Sequence, residues 1–144
     1  QVRSGPEISH TIPDVCRVVL DRRLLPGEDP DAAFRDIQDA LKKVAGFTIE
    51  ATRGAVMYPS EVAENSALAL AAAAANRELT QKEAEFFYSP AALDAGFLNR
   101  HGIETIMFGP GDLRFAHTDQ DAVALQEVRD AAKIYAATAL QLLG

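Results

Sequence analysis

The residues best suited to chemistry lie between positions 103 and 121. Residues 103–108 form a short apolar run with β-branched members, which is typical of a buried strand. Gly109, Pro110 and Gly111 end that run. Glycines let a backbone approach a small ligand and leave amide N–H groups free to bind it. His117 follows shortly afterwards, so the pattern predicts a ligand site at a strand end, where open α/β sheets bind ligands.

His117 stands directly before a predicted helix start. Thr118 is a good N-cap, and Asp121 three residues later completes a capping-box pattern. The positive end of a helix disfavours imidazolium and favours neutral imidazole, which is the form that binds zinc. The alternative is a solvated or hydrogen-bonded loop histidine, and these residues alone leave both interpretations open.

Several elements must position these residues. Alternating apolar and polar residues predict strands over 8–25 and 47–52. Between them, Asp29 and Pro30 predict the start of a helix, and Gly46 predicts its end. Residues 54–59 are predicted to cross between two regions. Further predicted elements are helices over 62–76 and 90–100, a short strand over 84–88, and a terminal helix over 119–142. The terminal helix carries the most regular apolar stripe, which we expect to be core: Leu125, Val128, Ala132, Tyr135, Ala139 and Leu142.

The composition of the chain indicates which partners it is unsuited to bind and which redox compartment it fits. The chain has 144 residues and a formal net charge of -7, and its pI is about 4.9, which argues against nucleic acid. No apolar run is long enough to span a bilayer. Cys16 is the one cysteine, so an internal disulfide is excluded. A lone cysteine fits a reducing compartment, and we expect a cytoplasmic protein without a membrane partner.

The glycine loop and the histidine carry a family resemblance. Phe-Gly-Pro-Gly at 108–111, then Ala-His-Thr at 116–118 and the acidic Asp121, resemble the closing motif of the M20 metallopeptidases. That motif reads Gly-Pro-Gly, a short loop, then Ala-His-Thr-x-Asp-Glu. Here Gln120 replaces the usual Asp, and Asp121 replaces the usual Glu. The resemblance implies that His117 is a metal ligand and that residues 109–111 bind substrate. It also implies that Asp121 contacts the ligand residue without binding the metal itself.

The first part of the chain resembles the same family. Ile-Pro-Asp-Val-Cys at 12–16, Asp-Arg-Arg at 21–23 and Pro-Gly-Glu at 26–28 are similar to the second half of its lid, or dimerisation, domain. His10 replaces an Asn that approaches substrate in relatives. Arg23 matches an Arg that grips a substrate carboxylate, a task that suits a bidentate guanidinium; the alternative is a solvated arginine. Asp94 resembles an acidic residue near the floor of the family's pocket; the alternative is a surface carboxylate.

The resemblance implies an α/β fold in two parts. Residues 1–57 would be the second half of an α+β lid (dimerisation) domain, and residues 58–144 the C-terminal part of a zinc-peptidase-like α/β catalytic domain. The implied activity is hydrolysis of amide bonds in N-acyl amino acids or small peptides, using two divalent metals such as zinc. The implied assembly is a homodimer.

This chain supplies one of the implied metal ligands, and it has three histidines and no Glu-Glu pair. We therefore expect the general base and the other ligands to come from a missing N-terminal part of the enzyme, and the chain alone to be inactive. The alternative class is a non-catalytic dimerisation or protein-interaction module. The missing ligands favour that module, whereas the spacing of Gly-Pro-Gly to Ala-His-Thr favours the enzyme.

Overall fold

The computed structural model describes residues 1–5 and 12–144 and contains one small antiparallel sheet in those ranges. Strand β1 (Val2–Gly5) pairs with β2 (Val15–Val18), with Val2 opposite Val18 and Gly5 opposite Val15. The predicted strand over 8–25 is therefore too long: β2 covers only four residues. Positions 8–11 of that prediction, and with them His10, lie outside the described residues.

Helix α1 (Pro30–Leu41) begins where the sequence predicts. The carboxylate of Asp29 accepts hydrogen bonds from the backbone N–H groups of Asp31 and Ala32, at 3.2 and 3.1 Å. Proline at the first helical position needs no hydrogen-bond partner for its nitrogen. The predicted end at Gly46 is wrong, because the chain leaves the helix after Leu41 through tight turns.

Three further helices and one short turn complete the described fold. They are α2 (Ala67–Thr80), α3 (Ala95–Arg100), a 3₁₀ turn (Leu113–Phe115) and α4 (Leu125–Leu143). Each predicted helix start in this half is too early. Helix α2, for example, begins after Ser66, whose hydroxyl oxygen accepts the Ala69 N–H at 3.2 Å, and not after Ser60.

The strands predicted over 47–52, 84–88 and 103–108 are wrong for the described chain. These segments form no ladder with any other described segment. Their apolar and β-branched residues fit a pleated sheet, but that preference becomes a strand only when another strand supplies the hydrogen bonds. The mixture of helices and a small sheet agrees with the predicted α/β class.

The core is an interface of small side chains between α2 and α4. Its buried members are Ala69, Ala72 and Ala75 from α2 and Ala131, Ile134 and Thr138 from α4. Small residues allow two helix backbones to approach closely. The Thr138 hydroxyl is satisfied by the Ile134 carbonyl at 2.8 Å, so this packed surface contains no unpaired hydroxyl.

The predicted core stripe of α4 is wrong by one residue. Ala131, Ile134 and Thr138 are buried, whereas the stripe containing Ala132, Tyr135 and Ala139 is exposed. One residue corresponds to a rotation of about 100° around a helix. Helix α4 therefore packs on the alanine surface of α2 through Ala131, Ile134 and Thr138, and the neighbouring stripe, with Tyr135, remains available for other contacts.

The described fold leaves much apolar surface open. Its accessible surface is 11844 Å², against about 7,200 Å² for a compact monomer of this mass. Large exposed side chains include Ile12, Leu20, Leu125 and Leu143. No helix in the described ranges is both long enough and apolar enough to cross a membrane.

Helix α3 is fixed by a close backbone contact. A Cβ atom at Gly96 would lie 2.0 Å from the carbonyl oxygen of Tyr58. Beside this contact, the rings of Tyr58 and Phe97 pack edge to face at 5.2 Å. The guanidinium of Arg100 lies 4.3 Å from the centroid of the Tyr58 ring. Glycine at position 96 therefore allows α3 to pack directly against the backbone at Tyr58.

We predict that Gly96→Ala lowers the free energy of unfolding by at least about 2 kcal/mol, because the added methyl group must displace a backbone carbonyl. Gly54→Ala is the matched control, since nothing lies within 4 Å of its new Cβ, and its effect should stay within about 0.5 kcal/mol. Urea unfolding followed by circular dichroism measures both. Equal stability of the two variants would contradict the contact.

Candidate functional site

The glycine loop at 109–111 is held from the side by helix α4. The Tyr135 hydroxyl donates to the carbonyl oxygen of Phe108 at 2.6 Å. Their rings pack edge to face with centroids 5.6 Å apart. At the other end of the loop, Gly111 has φ +97, and a Cβ built on it would lie 3.8 Å from the Val123 side chain. The loop is therefore held at its entry by α4, and its exit lies near the segment before α4.

A fixed carboxylate follows the loop directly. Asp112 accepts the Arg114 backbone N–H at 2.9 Å and forms an ion pair with the guanidinium of the same residue. These hydrogen bonds, the side-chain one first, lower the pKa of Asp112 to about 2. Asp112 thus remains ionised at neutral pH, and its charge is balanced by a neighbour two residues away.

His117 lies in a turn and not at a helix start. Helix α4 begins at Leu125, after the N-cap residue Ala124. The predicted N-cap role of Thr118 is therefore wrong: its hydroxyl donates to the Phe115 carbonyl at 2.7 Å and accepts the Gln120 N–H at 3.2 Å. The local turn satisfies these groups before a helix can begin, so the helix-dipole argument for a neutral imidazole does not apply here.

The backbone of His117 adopts φ 63, in the left-handed region. Its N–H donates to a carboxylate oxygen of Asp121 at 3.1 Å, so the structure joins the two predicted residues. A non-glycine residue there costs about 1–2 kcal/mol, and such outliers cluster at functional sites. The contact to Asp121 uses the backbone, so the exposed imidazole stays available. Sequence reasoning missed this geometry, although histidine is one of the types enriched at positive φ.

Arg23 is exposed and engaged within its own chain. Its guanidinium makes two hydrogen bonds of 3.0 Å to the carboxylate of Asp21 and donates to the Pro90 carbonyl at 3.4 Å. Asp94 is exposed directly before α3, and its side chain does not cap that helix. No hydrogen bond joins Arg23 or Asp94 to positions 109–121 among the described residues. His10 lies outside these residues.

A second ion pair, which the sequence reasoning missed, shapes the segment around Arg23. Arg22 binds the carboxylate of Glu28 through two hydrogen bonds, at 2.8 and 3.1 Å, and also donates to the Arg23 carbonyl. Glu28 accepts the Leu25 N–H at 2.7 Å as well. The Arg22 hydrogen bond, and then the Leu25 one, lower the pKa of Glu28 to about 2. The only signal of this ion pair in the sequence is the opposite charges of residues 22 and 28, which are six residues apart.

The described residues do not form a metal centre by themselves. No group of three His, Cys, Asp or Glu side chains is placed to hold an ion in residues 1–5 and 12–144. Catalytic zinc takes three protein ligands and keeps one position open for water. The imidazole of His117 is exposed, and its metal-ligand role stays a prediction.

Comparisons with known proteins agree on one family. The sequence profile described as peptidase family M20/M25/M40 matches residues 5–141. Two curated proteins are similar, each named N-formyl-4-amino-5-aminomethyl-2-methylpyrimidine deformylase. The Bacillus subtilis protein is 24% identical over 139 residues, which cover 85% of this chain and 33% of the relative. The Halalkalibacterium halodurans protein is 23% identical over 133 residues, which cover 81% and 31%. The chain thus spans about a third of these relatives. No solved structure matches it.

We predict that Arg22→Met raises the pKa of Glu28 from about 2 towards its ordinary value of 4.5. Since the folded pKa is depressed, the ion pair stabilises the turn fully above pH 4.5 and is lost as the pH falls through about 2. The titration is read from the Glu28 carboxyl carbon by NMR. Arg35→Met, which removes a partner of Asp29, is the control. An unmoved titration in Arg22→Met would show that the pair does not set this pKa.

We also predict that the two loop glycines differ. Gly111→Ala should destabilise the chain by about 1–2 kcal/mol, because its φ of +97 disfavours a side chain. Gly109→Ala is the control within the same loop: its φ is ordinary, and its Cβ would lie 3.6 Å from the Tyr135 hydroxyl, which is normal contact. Thermal unfolding of both variants provides the measurement, and an equal or larger loss at position 109 would contradict the geometry.

Proposed function

This chain belongs to peptidase family M20/M25/M40, and on that premise we propose that it is part of a metal-dependent hydrolase of amide bonds in N-acyl amino acids or small peptides. Both curated relatives are named deformylases of an N-formyl compound, and an N-formyl group is an amide. The observation that carries the proposal is His117, whose backbone Asp121 holds in a left-handed conformation while its ring is exposed.

The chain's own residues would have distinct roles. His117 would bind one of two divalent metals, zinc in this proposal, and Asp121 would hold the turn that presents the ring. The bound metals would polarise the amide carbonyl and lower the pKa of the attacking water. The N–H groups of Gly109 and Gly111 would orient the acyl part of the substrate, since glycine permits close approach and Pro110 has no N–H.

Arg23 would hold the carboxylate of an N-acyl amino acid. In the described structure it already binds a carboxylate, that of Asp21, through two parallel hydrogen bonds. A substrate carboxylate has the same shape and charge, so it could replace Asp21 without any change in the number of hydrogen bonds. His10, in the lid-like part at 1–57, and Asp94, in the catalytic-like part at 58–144, are proposed to line the same pocket.

An N-terminal part of the enzyme is the proposed partner of this chain. Two facts support it: the chain spans about a third of its curated relatives, and its surface of 11844 Å² exceeds that of a compact monomer. The exposed apolar stripe of α4 and segment 103–108, which pairs with no strand among the described residues, are suitable surfaces for such packing. A homodimer formed through the lid-like part is a further proposal.

A non-catalytic interaction module is the second candidate. The open apolar surface favours it, as does the lack of a three-ligand metal site among the described residues. The left-handed His117 favours the hydrolase, because strained backbone conformations cluster at catalytic and ligand-binding sites. An assay that adds the missing part separates the two candidates.

We predict that the chain mixed with the N-terminal part hydrolyses N-formyl or N-acetyl amino acids, and that His117→Ala lowers kcat/KM by about 100-fold or more, as expected for loss of a metal contact. His101→Ala is the control, because that ring lies 2.8 Å from the Phe97 carbonyl and has no proposed role. Release of the free amino acid is the readout. Full activity of the His117→Ala mixture would show that His117 is not a metal ligand. An inactive mixture of the unmodified chain with the N-terminal part would contradict the hydrolase and favour the interaction module.

A further inference from the structure

We propose that Tyr135 is a positioning residue for the substrate-binding loop at 109–111. This inference rests on the proposed function, in which the loop binds substrate. It adds that Tyr135, a residue outside the loop, keeps the loop ordered. Tyr135 lies on α4, where the apolar stripe of the sequence predicts only core packing. The structure instead leaves the side chain half exposed, at 50%, and directs its hydroxyl to the entry of the loop.

Two contacts and one short distance support the role. The Tyr135 hydroxyl donates to the Phe108 carbonyl at 2.6 Å, directly before the loop. The Phe108 and Tyr135 rings also pack edge to face, with planes at 81°, so a second contact joins the same two residues. A Cβ built on Gly109 would lie 3.6 Å from the same hydroxyl oxygen, so the first glycine of the loop lies close to the Tyr135 hydroxyl.

The position of the hydroxyl is set by the core and not by the loop. Ile134, the preceding residue, is 3% exposed and packs against α2. This burial fixes the rotation of α4 and hence the direction in which Tyr135 leaves it. The peptide linking Phe108 to Gly109 donates through its N–H and accepts through its carbonyl. With the carbonyl tied to Tyr135, the orientation of the N–H is fixed too, before any substrate arrives.

Preorganisation of a binding group should act on substrate affinity. A loop that binds substrate and transition state alike contributes to KM and leaves kcat unchanged. We therefore expect Tyr135→Phe, which keeps the ring and removes the hydroxyl, to raise KM about five-fold, the factor that corresponds to one neutral hydrogen bond. Kcat should stay within about two-fold. A purely structural loss would instead reduce the active fraction, which lowers the apparent kcat and leaves KM unchanged.

The loop can be observed directly by NMR in the chain itself. Phe108-Gly109 is the one Phe-Gly dipeptide in the sequence. Labelling Phe with ¹³C at the carbonyl and Gly with ¹⁵N therefore gives a single carbonyl-to-amide correlation, which reports on this peptide group. The order parameter of the Gly109 amide should be near the rigid value of about 0.85 and should fall towards about 0.6 in Tyr135→Phe. The Phe108 carbonyl resonance should move as its hydrogen bond is lost.

Tyr88→Phe is the matched control. It removes the same atom from a tyrosine whose hydroxyl donates to Glu61 at 3.2 Å and which is 82% exposed. It should change neither the Gly109 amide nor KM. The kinetic arm uses the mixture with the N-terminal part and whichever N-formyl or N-acetyl amino acid turns over.

A fall in the Gly109 order parameter together with a higher KM supports the inference. An unchanged order parameter in Tyr135→Phe overturns it, whatever the kinetics show. A lower order parameter with unchanged KM also overturns it, because the loop's order would then be irrelevant to binding. An inactive parent mixture overturns the proposed function instead, and the role of Tyr135 in ordering the loop is then decided by the NMR result alone.

Discussion

The packing of α2 on α4 through small side chains is the constraint on which the rest of the described structure depends. Alanines at positions 69, 72 and 75 form the buried face of α2, and Ala131, Ile134 and Thr138 form the buried face of α4. Because the contact uses small residues, it fixes how far apart the helices lie and how α4 is rotated about its axis. That rotation turns Tyr135 towards Phe108 and places the entry of the glycine loop.

The site that follows is built from local turns more than from regular elements. The Asp112 carboxylate caps the start of the 3₁₀ turn after the loop, and the Asp121 carboxylate accepts the backbone N–H of His117. Each contact joins residues two or four positions apart, so each can form without distant parts of the fold. The imidazole and the loop amides are left free by these contacts. This is consistent with a chain that offers binding groups to a centre completed elsewhere.

The sequence predicted the features that depend on short-range chemistry. The start of α1 at Pro30 follows from Asp29 and the proline alone, and the M20 family follows from the motifs around positions 12–28 and 108–121. It could not predict whether segments such as 103–108 become strands, because that depends on partner strands and not on their own residues. It also misplaced the start of α4, since Thr118 uses its hydroxyl in a turn. The choice between two neighbouring stripes of α4 depended on the surface that α2 presents.

The central claim is tested most directly by the zinc content of dialysed protein, measured by mass spectrometry. The same protein carries histidine labelled with ¹⁵N in the ring, so that NMR reports whether His117 binds the metal. That claim is that this chain contributes a single imidazole, from His117, to a metal centre whose other ligands come from a partner segment. The account predicts no retained zinc in the chain alone. Zinc should be retained when the N-terminal part is added, with one ring nitrogen of His117 shifted. Stoichiometric zinc in the chain alone, or a zinc-loaded mixture with an unshifted His117 ring, would contradict it.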